Sequence, residues 1–344
     1  MLNKERDGRR LGALFGQAIG DALGVHDEFK SAKLIASEER DLLSYVATTE
    51  RNEDWKAGAW SDDTEQALCI LGAYARDGGL APRTLAAFFK RWLLEDGRGC
   101  GNHTNLVLNH PQFLKDPIGV SHAGWDESDR WAAPNGAVMR VSAVGILRPW
   151  DLNWTERAAI LSAQVTHYDP RCVASTVAVA IAIACLIQGM SIPKAIEEAR
   201  RRAGSYHHEA VKFMGMSLEE LKLDEGLDDP KAKRKPIGYT YKCLGAGFYA
   251  LRKFNELPDQ DKGSEPHPFG EVLEEILAAG GDVDTNGAVA GALMGAALGV
   301  QNFPPDLIHG LHHSSRLVEH FRVVLNKEIA EGIAPVPEQE AVEK

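Results

Sequence analysis

Between Arg10 and Val25 the apolar residues fall at Leu11, Leu14, Phe15, Ala18, Ile19, Ala22 and Leu23, the three-and-four spacing of one helical face. Gly12, Gly16, Gly20 and Gly24 run along the same stretch at intervals of four. Each glycine costs about 1 kcal/mol relative to alanine in a helix interior, so the series implies a compensating gain from close backbone packing. The device recurs in NGAVAGALMGAALGV, which carries Gly287, Gly291, Gly295 and Gly299 and no charge. In a lipid-facing span such spacing would mark a dimerisation face. Asp21 and the brevity of both runs favour two smooth helices crossing in a soluble core.

Further helical patterns cover residues 64 to 76, 83 to 95, 155 to 165, 172 to 188, 192 to 203, 240 to 255, 269 to 279 and 306 to 329, while the period-two alternation of strands is scarce. The expected fold is all-α, a single-domain compact helical bundle over residues 1 to 330. Residues 204 to 238 mix charges and breakers and read as an insertion or mobile connection, residues 256 to 268 as a polar loop, and residues 331 to 344 as a disordered tail.

Composition narrows the function. The net charge of -11 disfavours nucleic acid and anionic membranes, which need a basic face. Five scattered cysteines without a CxxC pair suggest neither a disulfide framework nor a zinc site, and fit reduced thiols in the cytoplasm. The N-terminus has no signal-peptide pattern, and the uncharged run from Cys172 to Met190 falls short of the roughly 20 residues of a bilayer span, so it reads as a buried helix.

Two acidic clusters stand ahead of apolar helices: Ser61, Asp62, Asp63 and Thr64 in SDDTEQAL, and Asp282, Asp284 and Thr285 in GGDVDT. Capping accounts for part of this. Ser61 or Asp62 can accept from first-turn amides with Glu65 completing a capping box, and Thr285 can cap the second helix. A cap needs one oxygen, however, and each cluster supplies three. If the glycine faces bring the two helix starts together, four carboxylates share a pocket, where repulsion would raise their pKa values. Divalent cations would cancel that charge, and an all-oxygen donor set selects magnesium, manganese or calcium. Two such ions about 3.5 to 4 Å apart can orient and activate a water for hydrolysis.

In order along the chain, GQAIGDALGVHDEF, WSDDTEQAL, APNGAVMRVSAVGIL, THYDP and GGDVDTNGAVAGALMGAALG resemble the ADP-ribosylglycohydrolases, from about residue 10 to 300. The resemblance implies an all-helical domain with two Mg2+ or Mn2+ ions held by Ser61, Asp62, Asp63, Asp282, Asp284 and Thr285. It implies that Glu28 lies by the scissile ribose bond, with Asp62 or Asp63 as ligand and base. It also implies that Gly99, Gly101 and Asn102 of GRGCGN cradle the diphosphate, and that Asn135, Gly136, Met139, Arg140 and His167 line the substrate site. The partner would be an ADP-ribosylated protein or a small ADP-ribose conjugate.

Departures leave the acceptor open between arginine, serine and other linkages. GRGCG resembles the loop of serine-directed members, whereas DDTE resembles the bacterial arginine type. His26 and Ala143 stand where many members have proline, and Ser61 replaces a frequent threonine but keeps the hydroxyl. A non-catalytic sensor of ADP-ribose or a related nucleotide is the rival reading, although pure recognition has no need of both acidic clusters. His309 and His313 would share a helical face but read as a solvated surface.

Overall fold

The apolar periodicities form helices in the order in which they occur in the computed structural model, which describes residues 4–50, 53–232, 236–257 and 267–333. Helix α1 spans Lys4–Gly24 and α2 spans Ala32–Ser37; α3 (Asp62–Asp77) and α4 (Pro82–Glu95) follow a short antiparallel hairpin of Thr48–Glu50 with Glu53–Trp55. Next come α5 (Asn102–Asn109), α6 (Pro117–Glu127), α7 (Ser142–Ile146), α8 (Leu152–Gln164), α9 (Pro170–Ile187) and α10 (Ile192–Ala203). The chain continues through α11 (Glu209–Phe213), α12 (Leu218–Leu221), α13 (Thr240–Glu256), α14 (Pro268–Ala278), α15 (Val283–Leu298), α16 (Pro305–His309) and α17 (Ser315–Ala330). The fold class is therefore all-α, as expected.

Local chemistry sets the helix ends. Ser61 caps α3 by accepting from the Asp63 amide, and Gly78 stops it in the left-handed region at φ 69°. Asp116, Asp151 and Asp169 cap α6, α8 and α9 through their side chains. Ser217 and Glu220 form a reciprocal capping box that lets α12 exist as one short turn.

Helix α9 runs through the core with Cys172 to Ile187 buried. It is apolar and long enough to cross a membrane, yet 89% of it is buried inside the protein, which agrees with the reading of a core helix. Around it pack α7, α8, α10, α13 and α15. The tightest contact is between α1 and α15, where Gly12, Gly16 and Gly20 meet Gly295, Gly291 and Gly287 backbone to backbone. A Cβ on Gly287 would lie 2.6 Å from the Gly20 carbonyl oxygen, and one on Gly16 would collide with the Gly291 carbonyl. Bare faces let the backbones approach and gain dispersion contacts that a single methyl would abolish.

Three expectations change. The pattern over residues 306 to 329 is two helices, because the Gly310 amide closes α16 on Asp306 and His313 turns left-handed at φ 60° before α17. His309 and His313 thus share no helical face; the His312 and His313 rings pair at 3.8 Å instead. Within residues 204 to 238, α11 and α12 are folded onto α13, with Met214, Leu221 and Leu223 buried and the Arg252 guanidinium donating to the Met214 and Met216 carbonyls. Residues 233–235 of that segment, 258–266 of the polar loop and 334–344 of the tail lie outside the described residues.

The crossing predicts a sharp contrast between glycines. Gly291→Ala should lower the unfolding free energy in urea by about 3 kcal/mol or more, because backbone rather than a side chain must move. Gly124→Ala, where nothing lies within 4 Å of the added methyl, should change it by less than about 1 kcal/mol. Matching midpoints for the two variants would contradict the close approach.

Candidate active site

The crossing sets the start of α15 beside the end of α1, and α1 holds the start of α3. Asp21 accepts from the Ser61 amide at 2.8 Å, the Thr64 amide at 3.0 Å and the Thr64 hydroxyl at 2.6 Å. One turn earlier, the Gln17 Nε2 donates to the Asp63 carbonyl at 3.0 Å. Beyond α1, the Phe29 amide donates to the Gly281 carbonyl at 2.7 Å, and the Gly281 amide to the Lys30 carbonyl at 2.9 Å. This pairing draws Phe29 into the left-handed region at φ 63°, unusual for a side chain of its size, and fixes Glu28 next to the second acidic cluster.

The two clusters converge. Carboxylate oxygens of Asp21, Asp63 and Asp284 lie within 4.8 Å of one another, and so do those of Glu28, Asp282 and Asp284. Asp284 belongs to both groups. Neutral donors orient the remaining oxygens: Gln66 Nε2 donates to Asp62 Oδ2 and Asn135 Nδ2 to Asp282 Oδ2, each at 2.8 Å, and the Ser61 hydroxyl donates to Asp63 Oδ2 at 3.0 Å. Asp63 Oδ1 is buried with no hydrogen-bond partner.

Burial, reinforced by the charges of Asp21, Asp62 and Asp282, holds the Asp63 carboxyl well above the usual carboxylate range. Burial likewise raises Asp284, with Glu28, Asp63, Asp282 and Asp21 adding to it. Asp21 is pushed up to about 6 by burial, against the opposing hydrogen bonds from Thr64 and Ser61. An orphaned carboxylate oxygen within a repelling, all-oxygen cluster fits a hard divalent cation, and Asp62, Asp63, Asp282, Asp284 and Thr285 are the residues that could hold it.

These groups line a cavity of about 310 Å³. Its lining contains Glu28, Asp62, Asp63, Gly99, Gly101, Asn102, Asn135, Gly136, Met139, His167, Asp282, Asp284 and Thr285. In the same cavity, α5 begins at Asn102 with Gly101 at its cap position and no side-chain cap, which leaves first-turn amides for an anion. Gly99 is left-handed at φ 77°, and a Cβ there would come within 2.8 Å of Asp62 Oδ1. Gly136 is tightly enclosed: a Cβ there would lie 3.0 Å from the His167 ring and 3.1 Å from the Thr104 hydroxyl, so those side chains would have to shift.

Other residues are placed differently from expectation. Arg140 is wholly buried outside the lining, its guanidinium bonded to Gln66, Thr166 and the Ser162 carbonyl, so it contacts protein rather than the cavity. Ser61 also sits behind the lining, capping α3 and holding Asp63. Thr285 lies within the first turn of α15 rather than at its cap; Asp282 occupies the cap position, but its side chain accepts from Asn135 instead of from the helix amides. Glu65 forms no capping box, since it accepts from Trp60 Nε1 at 2.9 Å and from the Arg316 guanidinium at 2.5 and 2.9 Å. Sequence reasoning missed Asp21, Phe29, His103, Thr104 and Pro134. The signal for Asp21 was its place in GDALG as the one acidic residue within the first glycine series; His103 and Thr104 directly follow the GRGCGN loop.

The ADP-ribosylglycohydrolase family profile matches residues 2–338. The chain belongs to that family. An uncharacterised protein of Archaeoglobus fulgidus is 28% identical over 291 residues, covering 82% of this chain and 85% of its own length. The ADP-ribosylarginine hydrolase Tri1 of Serratia proteamaculans is 28% identical over 318 residues, covering 89% and 76% respectively. A solved structure described as an ADP-ribosylglycohydrolase-related protein complex superposes with a TM-score of 0.69 at 23% identity, covering 94% of this chain and 99% of that one, so the fold is shared.

The raised carboxylates have a linked consequence. A group whose folded pKa exceeds its unfolded value stabilises the fold below the unfolded value and loses that contribution as pH rises through the folded one. For Asp21 this window runs from about 3.8 to about 6, and Asp63 and Asp284 shift in the same direction. The rise in Tm on adding Mg2+ or Mn2+ should therefore be larger at pH 8 than at pH 5, as read by differential scanning fluorimetry. An increment independent of pH would argue against cation binding at these carboxylates.

Proposed function

We propose that the chain is a divalent-metal-dependent hydrolase that cleaves the C1″ glycosidic bond joining ADP-ribose to an acceptor on a protein side chain or small conjugate. The observation that carries this reading is the meeting of both acidic clusters with the GRGCGN loop in one cavity. Asp62, Asp63, Asp282, Asp284 and Thr285, with Ser61 behind them, would hold two Mg2+ or Mn2+ ions. Such ions supply charge neutralisation and Lewis acidity toward sugar oxygens.

The chain's own groups divide the remaining work. Uncapped amides at the start of α5 suit the diphosphate, and left-handed Gly99 keeps the loop against Asp62. His167, driven well below its ordinary pKa by burial and then by His103 and Arg140, is a neutral wall that adds no charge beside the anion. Glu28, half-buried beside Asp282 and Asp284, is placed to hold or deliver a proton at the departing acceptor. Asp63, with one buried oxygen unpartnered and the cations holding it ionised, would be placed to take a proton from the attacking water.

Linkage to arginine is the first acceptor to test, given the Serratia relative's activity, with serine and small conjugates beside it. The five free cysteines suit a reducing compartment such as the cytosol. Incubation of defined ADP-ribosylated acceptors with the protein and Mg2+ should release free ADP-ribose. EDTA should stop the release, Mg2+ or Mn2+ should restore it, and Glu28→Gln should slow it by about 10²- to 10⁴-fold. Full turnover by Asp284→Ala would count against the metal-dependent reading, whereas tight ADP-ribose binding with no release from any acceptor would count against hydrolysis and favour a sensor.

A further inference from the structure

Arg140 is a cation with no exposed surface that does not reach the cavity. Taking a guanidinium out of water costs several kcal/mol unless it is well satisfied. Its hydrogen bonds go to neutral oxygens, and its plane lies over Phe89 at 4.2 Å. So expensive a placement calls for a purpose, and its two outer nitrogens point to one.

Nη1 donates to Gln66 Oε1 at 2.5 Å, and the other end of that amide donates to Asp62 Oδ2 at 2.8 Å. The amide is thus polarised in one sense only. With the guanidinium fixing Oε1, the NH2 must face the carboxylate; without it, a flip would present an oxygen to Asp62. Nη2 donates to Thr166 Oγ1 at 2.5 Å, and that hydroxyl lies 2.7 Å from His167 Nδ1. After accepting from Arg140 the hydroxyl still has its own proton to donate, and Nδ1 is the acceptor beside it; with that bond made, the neutral ring would carry its proton on Nε2. That ring edge packs beneath Gly136, whose neighbour Asn135 donates to Asp282 Oδ2 at 2.8 Å.

We propose that Arg140 is a positioning residue whose planar fork sets both halves of the acidic centre at once, orienting Asp62 through Gln66 and seating the Asn135–Gly136 turn against Asp282 through Thr166 and His167. The inference rests on the metal-dependent reading above. Lysine cannot replace the fork, because an ammonium is a point charge without two divergent, coplanar donors.

The test uses the full chain and three readouts: Mn2+ affinity by calorimetry, ADP-ribose affinity at saturating Mg2+, and the tautomer of His167 from ring 15N shifts. Gln66→Met should weaken Mn2+ binding about 10- to 100-fold, the usual cost of losing a group that orients a metal ligand, with the His167 tautomer unchanged. Thr166→Val should release His167 from its Nε2–H form and weaken ADP-ribose binding. Arg140→Lys should show both defects despite keeping the charge. The single-arm variants are near-isosteric, so they stay informative if Arg140 variants fold poorly. Wild-type Mn2+ affinity and an unaltered tautomer in the variants, whatever their Tm, would overturn the inference alone. A wild-type chain that takes up no Mn2+ would remove the functional reading and the inference together.

Discussion

Where Gly16 faces Gly291 and Gly20 faces Gly287, neither helix has room for a side chain, and the two backbones meet directly. Position along the chain then becomes position in the site. Asp21 follows Gly20 on one helix and Asp284 opens the other, so the same contact that packs the core also sets carboxylates from opposite ends of the sequence within 4.8 Å. A residue larger than glycine along this seam would push the helices apart and open the acidic cluster with them.

That cluster is electrostatically unfavourable by itself. Burial and mutual repulsion raise Asp63 and Asp284, and the fold answers with neutral donors rather than with buried cations in contact. Gln17 fixes the backbone of Asp63, Gln66 the carboxylate of Asp62, and Asn135 that of Asp282. Neutral amides orient the oxygens without cancelling their charge, which is what a site for a divalent cation requires. The nearby guanidinium, Arg140, is kept one residue back, acting through Gln66 instead of pairing with Asp62.

Much of this was legible. The paired glycine series announced the crossing because a four-residue period of the smallest residue has few other uses in a soluble helix, and the acidic sets announced chemistry because capping cannot use three oxygens each. Less local features were not legible. The run of residues 306 to 329 keeps helical periodicity across a break made by the turn at His313, since periodicity does not register a single left-handed residue. Residues 204 to 238 look loose in composition, yet short helices there are held by Arg252 reaching from α13, a contact made between distant parts of the chain. Glu65 stood in a capping-box register, but Arg316 and Trp60 claimed it.

The sequence by itself determined the helical class, the two glycine faces and the oxygen-only chemistry of SDDT and GGDVDT, because these depend on residue type and short-range period. The tertiary structure decided which oxygens meet, that Asp21 stands behind them as a clamp on α3, and that Arg140 serves the site from inside the core. Side-chain direction and burial arise from packing between segments tens to hundreds of residues apart, and no local pattern encodes which partner a buried polar group will find.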